Sequence, residues 1–447
     1  MSSVPVWSNP IAEPYDATED AVAQGFTASH PLLRWCQTLG KWFIWDGAVW
    51  KQDETVYVFD QIRLYCREHS EWKSKSQSDL RKQCSASFVA AAEKFCKSDR
   101  RYAITPDQFD CDDWQLNTPS GLVDLRTGQT QVHELEAYCT RISAVAARGE
   151  CHRWMEFLGD VTDCDVELMD YLQRMVGYCL TGSTREHSLH FLYGTGGNGK
   201  SVFLETVTGI MGDYAKTSPM ETFTESRNDR HPTELAMLQG ARLVVAQETE
   251  PGKRWAQSRI KALTGGDKVT ARYMRQDFFE FTPKFKLVIA GNAKPKLDTV
   301  DEAMRRRFHI VPFTIQIPPE DRDRDLADKL QDEWSGIMAW AVEGCLQYQK
   351  QGLAPPAKVV EATNAYLESQ DIFGEWLDTE CAIGPDFYVT PKLLYGAWCQ
   401  FSEASRERPG RQSEFRERME GAGFRQGKNN ARGRHWVGID VKPQNHG

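Results

Sequence analysis

Phe191-Leu-Tyr-Gly-Thr-Gly-Gly-Asn-Gly-Lys-Ser-Val-Phe-Leu204 is the stretch that decides the fold. From Gly194 to Ser201 it has the phosphate-loop spacing, a glycine followed after an interval by Gly-Lys-Ser. Gly194, Gly196, Gly197 and Gly199 permit positive φ and leave no Cβ between backbone and ligand. With Thr195 and Asn198 they form a loop whose N–H groups can surround phosphate oxygens at the start of a helix, where the dipole also favours anions. Lys200 is placed to reach the β- and γ-phosphates, and the Ser201 hydroxyl to hold Mg²⁺. The flanks agree: His190–Tyr193 reads as a short buried strand and Val202–Met211 as a helix. A chance glycine-rich turn would not bring both flanks with it.

Outward from the loop, Leu189 to Phe313 alternates short apolar runs with helical ones, which predicts an α/β sheet with parallel strands. The strand candidates are His190–Tyr193, Leu243–Ala246, Lys286–Ala290 and His309–Phe313. Arg242-Leu-Val-Val-Ala-Gln-Glu248 is an apolar strand ending in an acid. Glu248 is the candidate to hold Mg²⁺ through water or to polarise an attacking water, and Glu250 can share that work. Lys286-Leu-Val-Ile-Ala-Gly-Asn292 ends in an amide. Asn292 can hold the water and sense the γ-phosphate, or merely form a turn after glycine.

Arg305-Arg306-Arg307 precedes Phe308-His-Ile-Val-Pro-Phe313. An arginine there, set against a neighbouring copy's nucleotide, would stabilise transition-state charge; the bland alternative is a solvated basic cluster. Thr264 to Pro283 has two β-like arms around a polar tip. Its Lys268, Arg272 and Arg275 lie beside Tyr273, cations next to an aromatic, which suits a single-stranded nucleic-acid backbone.

The chain has 447 residues, enough for roughly three domains. A net charge of −9 argues against a uniformly basic nucleic-acid binder but allows local basic surfaces. The 12 cysteines are scattered and include no C-x-x-C pair, so buried thiols are expected rather than zinc or disulfides. Met1–Asp20 does not read as a signal peptide, and no apolar run approaches membrane-spanning length. Asp46-Gly47 within Lys41–Trp50 predicts a hairpin. Helices are expected over Val56–His69, Ala86–Cys96, Cys151–Gly159 and Val166–Leu180, and a second hairpin over Leu116–Val132 with its turn at Arg126-Thr-Gly128. Asp321–Gln351 is a long helical stretch, as one helix or two, broken at Gly352-Leu-Ala-Pro-Pro356.

Taken in order, these motifs resemble a superfamily 3 helicase of the phage and plasmid primase-helicase type. The resemblance rests on Gly194–Ser201, Arg242–Glu250, Leu263-Thr-Gly-Gly-Asp-Lys-Val-Thr-Ala-Arg272, Phe281-Thr-Pro-Lys-Phe-Lys-Leu287, Gly291-Asn292 and Arg306-Arg307-Phe308-His-Ile-Val-Pro-Phe313. It extends upstream through Tyr171-Leu-Gln-Arg-Met-Val-Gly-Tyr-Cys-Leu-Thr-Gly182 and Gly121-Leu-Val-Asp-Leu-Arg-Thr-Gly128, and fades at both ends. It implies an AAA+-like ring, usually hexameric, with ATP between subunits and 3′-to-5′ movement on single-stranded DNA. The hairpin after Lys268 would line the pore. The family's sensor asparagine falls on Asn292 and its arginine finger on Arg306 or Arg307. Gln247 stands where many relatives carry an acid. The family's catalytic primase domain has no visible counterpart before residue 116.

Beyond about residue 365, helices are expected at Asp371–Leu377, at Pro391–Ser405 after a Thr390 cap, and at Glu414–Gly421 after a Ser413 cap. Two strand-like ends then flank Gly427–Arg434. Arg425, Lys428, Arg432, Arg434 and Lys442 give this end a local basic excess. The layout resembles the C-terminal modules of phage primase-helicases, with Arg416 presented to the major groove and Arg432 and Arg434 on a wing.

The expected fold class is therefore α/β, an AAA+-like P-loop NTPase core with a mostly parallel sheet, preceded by an α+β collar and followed by a winged-helix-like domain. The expected boundaries are an arm at 1–24, the collar at 25–181, the core at 182–318, a helical extension and linker at 319–355, and the C-terminal domain at 356–447. ATP and Mg²⁺ are the expected cofactors. The expected partners are single-stranded and forked DNA, further copies of the chain, duplex origin DNA and a separate primase, in a bacterial host cytoplasm. Alternatives are a bifunctional primase-helicase, an origin-binding or loader ATPase, and a P-loop kinase.

Overall fold

The computed structural model describes residues 18–73, 76–225, 233–247, 252–274, 277–298, 300–405, 409–429 and 433–442. Its centre is a five-stranded sheet of β1 (Leu189–Tyr193), β2 (Ala215–Thr217), β3 (Leu243–Gln247), β4 (Lys286–Gly291) and β5 (Phe308–Pro312), in the order β5-β1-β4-β3-β2. Every neighbouring pair is parallel. The near-continuous apolar runs follow from this, because helices cover both faces of a parallel sheet.

Side-chain alternation divides the sheet's two faces. Leu192, Val245, Val288 and Val311 point into one core with the helices His152–Thr162, Val166–Cys179, Lys200–Met211 and Trp334–Gln351. Leu189, Phe191, Val244, Ile289 and Ile310 point into the other, with Trp255, Leu263, Phe281 and Tyr366. Val166–Cys179 and Trp334–Gln351 pack so closely that a Cβ on Gly177 would strike the backbone at Gly344–Cys345. The segment 112–183 is tied to the N-terminal edge of the sheet by two buried basic side chains that donate to its backbone carbonyls, those of Leu180 and Thr181 at the end of the helix Val166–Cys179 among them. Arg242 donates to the carbonyls of Leu180 (2.6 Å) and Gln115 (2.7 Å), and Lys286 to those of Thr181 and Ser183.

Before this, Glu19–Ser29, Tyr57–Lys73 and Ala86–Ser98 pack against a four-stranded sheet that includes the expected hairpin. Asp46 Oδ1 accepts from the N–H groups of Ala48 and Val49 and closes its turn. The expected hairpin over Leu116–Val132, with its turn at Arg126-Thr-Gly128, is present as Gly121–Asp124 and Gln129–Gln131 and is extended to a three-stranded meander by Gln115–Thr118. Pro119-Ser120 makes an additional tight turn between the first two strands.

The C-terminal unit has helices Ile372–Glu380, Pro391–Ala404 and Gln412–Gly421 around Trp376, Trp398, Phe415 and Trp436. Asp371 and Thr390 accept from Gly374 and Leu393 N–H and start the first two. The third starts at Gln412 rather than after a Ser413 cap, because the Glu414 carboxylate turns back to accept from Arg411 N–H at 2.9 Å. The expected strand pair, Arg425–Asn429 and Gly433–Val441, gains a third antiparallel strand, Cys381–Val389.

Candidate phosphate and nucleic-acid sites

The loop between β1 and the helix Lys200–Met211 is shaped by what lies beneath it. Gly199 takes φ 80° at the helix start. A Cβ there would strike Val161 and Phe157 of the helix His152–Thr162, so both conformation and packing require glycine. Asn198 Nδ2 donates to the carbonyl of Phe313 at 2.6 Å and locks the loop to the end of β5. Lys200 is 6% exposed. Its Nζ donates to the Gly194 carbonyl and to Asn198 Oδ1, each at 2.8 Å. Burial pushes its ammonium below the usual lysine range. Among the described residues this buried cation has no carboxylate partner. A buried ammonium calls for anionic company, and the loop's form suits a phosphate chain.

A cavity of about 650 Å³ opens above the loop, at the C-terminal edge of the sheet where open α/β sheets bind ligands. Gly196, Gly197, Asn198, Gly199, Lys200 and Ser201 line it, with Gln247 from the end of β3 and Asn292 just past β4. Thr195 is held at the loop's outer side, where its Oγ1 accepts from Gln316 Nε2 at 2.9 Å. Glu248 and Glu250 lie outside the described residues. The second wall has no counterpart in the sequence analysis. Arg153, Phe157 and Asp160 come from the helix His152–Thr162, and Ile317, Arg322 and Asp323 from the segment after β5. The only sequence signal for the latter was the alternating charge run Asp321-Arg-Asp-Arg-Asp325.

The structure brings the loop and Asn292 to one cavity and sets the arginine trio elsewhere. Arg306 and Arg307 precede β5 and therefore lie at the N-terminal edge of the sheet. Arg307 is buried, its Nε donating to Thr264 Oγ1 at 3.0 Å and its Nη1 to the Ala303 carbonyl at 2.6 Å. Arg306 is exposed.

The segment 269–281 is a hairpin, Val269–Arg272 antiparallel to Phe278–Phe281. Lys268 is exposed and 3.9 Å from Glu280. The Arg272 guanidinium lies 4.7 Å over the Phe278 ring. Tyr273 stacks on Phe279 and donates its hydroxyl to the Ala236 carbonyl at 3.1 Å, which anchors the hairpin. Met274 at the tip is 75% exposed and Phe278 60%. Arg275 lies outside the described residues. In the C-terminal unit, Arg416 pairs with Glu420 at 2.8 Å on an exposed helix face. Arg434 stands opposite Lys428 on the paired strands, both exposed; Arg432 lies outside the described residues. No helix among the described residues is long and apolar enough to cross a membrane.

Fold and site together define an α/β protein with a glycine-rich loop around a buried lysine at the carboxyl edge of a parallel sheet. Residues 23–163 match the family described as D5 N terminal like, and residues 192–307 match a family of unknown function, DUF5906. The helicase-named L207/L206 protein of Acanthamoeba polyphaga mimivirus is 27% identical over 232 residues, 48% of this chain and 24% of that one. The helicase-named 022R protein of Frog virus 3 is 28% identical over 256 residues, 53% of this chain and 26% of that one. The chain thus spans about a quarter of the length of these relatives. Among solved structures, the ligand-free C-terminal region of NrS-1 superposes with a TM-score of 0.51 at 10% identity, over 95% of this chain and all of that one; this likeness is one of fold. The family match over residues 23–163 and the helicase-named viral relatives support a kinship with phage and viral primase-helicases.

Proposed function

We propose that this chain is the ATP-driven helicase of a phage, satellite or plasmid replicon, of superfamily 3 type, working as a ring on single-stranded DNA with 3′-to-5′ movement. The observation that carries the reading is Lys200. It is a buried cation with no carboxylate partner among the described residues, beneath a cavity bordered by the ends of three neighbouring strands. The loop N–H groups of Gly196–Ser201 would hold the phosphates of ATP, with Lys200 on the β- and γ-oxygens. Ser201 and Glu248 would hold Mg²⁺, which when bound offsets phosphate charge. Glu248 would orient and polarise the attacking water, and Asn292 would hold that water against the γ-phosphate. An exposed arginine at the opposite edge of the sheet, Arg306, suits a site completed by a neighbouring copy.

The hairpin 269–281, with Lys268, Arg272, Tyr273 and Arg275, would face single-stranded DNA in the ring's pore. The C-terminal unit has the helix count and paired basic strands of a winged-helix module. There Arg416 would face a duplex groove, and Arg432 and Arg434 its phosphates.

The test is unwinding of a forked DNA by the full chain. ATP- and Mg²⁺-dependent strand separation is expected. Lys200→Ala should abolish hydrolysis and unwinding without loss of folding, and Glu248→Gln should bind ATP but not turn it over. Hydrolysis without strand separation would make the chain a loader ATPase. Wild-type hydrolysis in Lys200→Ala would refute the site.

A further inference from the structure

Two arginines line the second wall of the cavity, and their surroundings differ. Arg153 is neutralised: its guanidinium lies 3.2 Å from Glu156 and 3.8 Å from both Asp160 and Asp323. Asp323 is engaged further by Lys329 at 2.7 Å. Arg322 has no carboxylate partner among the described residues. Its Nε donates to its own segment, to the Ile317 carbonyl at 3.0 Å. Its Nη2 lies so close to Gly197 that a Cβ there would collide with it. Arg322 is thus held against the phosphate loop itself, with the outer half of its guanidinium fork uncommitted at the cavity.

The segment that carries it is fastened to the same loop. Ile317 N–H donates to the Gly197 carbonyl at 2.9 Å, and Gln316 Nε2 to Thr195 Oγ1 at 2.9 Å. These tethers fix Arg322 relative to its own Lys200. Arg306, by contrast, stands at the far edge of the sheet. A planar guanidinium with free N–H groups matches phosphate oxygens in pairs. Beside a buried lysine that also has no acid partner among the described residues, it makes a second cation aimed at the same ligand.

We propose that Arg322 contacts the phosphate chain of the bound nucleotide within its own subunit, as a cis counterpart to the neighbour's Arg306. This rests on the reading of the cavity as a nucleotide site. The contact is charge-assisted, so its loss should lower kcat/KM for ATP about 10- to 100-fold. Arg322 is exposed, and its removal leaves the core intact.

The experiment is steady-state ATPase of the full chain with Arg322→Ala, Arg322→Lys and Lys200→Ala, each checked for an unchanged unfolding midpoint, followed by mixing. The expected result is the stated loss in Arg322→Ala and partial recovery in Arg322→Lys. Mixing Arg322→Ala with Lys200→Ala should restore nothing, since both lesions disable the site of the subunit that carries them. Recovery on mixing would move Arg322 to a neighbour's site and overturn the cis assignment. So would wild-type kcat/KM in Arg322→Ala while Lys200→Ala is inactive. A wild-type chain that neither binds nor hydrolyses ATP would instead overturn the reading of the cavity, and this assignment with it.

Discussion

Replacing Arg306 and Arg307 one at a time should give two different kinds of damage. Arg307 donates to Thr264 Oγ1 and to the Ala303 carbonyl from a side chain only 5% exposed. A hydrogen bond from a charged group is worth about 1.5–3 kcal/mol, so Arg307→Ala should destabilise the fold by on the order of 3 kcal/mol. Arg306 is exposed and its loss should leave stability unchanged. Its catalytic reach follows from the sheet. The five residues of β5 span about 16 Å at the usual strand rise, and the phosphate loop lies beyond the far end. Arg306 cannot reach the phosphate loop of its own subunit, so any effect on hydrolysis must act on a neighbour's site. An arginine supplied in trans contributes roughly 10³–10⁵ in rate. Arg306→Ala should therefore lose ATPase activity on that scale while melting like wild type. The assay is ATPase in mixed rings: Arg306→Ala with Lys200→Ala should regain activity through hybrid interfaces. Full activity in Arg306→Ala, or no recovery in a verified mixed ring, would refute the argument.

Three further outcomes are expected. Arg272→Ala should weaken single-stranded DNA binding and unwinding, lower the salt slope by about 0.7, and spare basal ATPase; an unchanged slope with normal unwinding would remove the hairpin from the DNA path. Arg434→Ala should lower duplex affinity and its salt dependence, and no change would leave the C-terminal unit to protein contacts. Acid should destabilise the chain through two neighbouring histidines, His190, pinned between the Tyr171 and Ser188 hydroxyls at 3.0 Å each, and His309, whose ring lies 5.0 Å away. Burial, then the neighbouring His309 and Lys286, holds His190 well below the usual histidine range, and burial brings His309 to about 4. The unfolded chain binds these protons first, so stability is present above about pH 6.5 and is lost as pH falls toward 4. His309 alone accounts for on the order of 3 kcal/mol. Urea unfolding at pH 7 and pH 5 should show a flatter response in His309→Gln; identical responses would contradict the assignment.

The loop and the parallel sheet were legible because their signals are local. Gly194–Ser201 carries its own spacing, and each strand is an unbroken apolar run because both its faces are covered. Asn292 was legible as the residue closing such a run. Other features were hidden for identifiable reasons. Cys381–Val389 contains Gly384-Pro385, which interrupts a strand pattern, and its register shifts between Ile383 and Tyr388. The helix at Gln412 begins with an arginine whose N–H is satisfied from Glu414, so no conventional cap residue marks it. Tyr273 was legible as an aromatic beside cations, but not its anchoring role, in which its ring stacks on Phe279 and its hydroxyl donates to the Ala236 carbonyl. Arg153, Phe157 and Arg322 reach the cavity from segments that carry no motif and meet the loop only through tertiary packing.

The central claim, a nucleotide shared between copies around single-stranded DNA, is tested most directly by particle imaging of the full chain with a non-hydrolysable ATP analogue, Mg²⁺ and a single strand. The account predicts closed rings with analogue against Gly196–Ser201, Arg322 of the same subunit and Arg306 of the next copy on its phosphates, and DNA passing the hairpins at 269–281. Monomers with analogue enclosed by one chain alone, or rings whose DNA lies away from the hairpins, would contradict it.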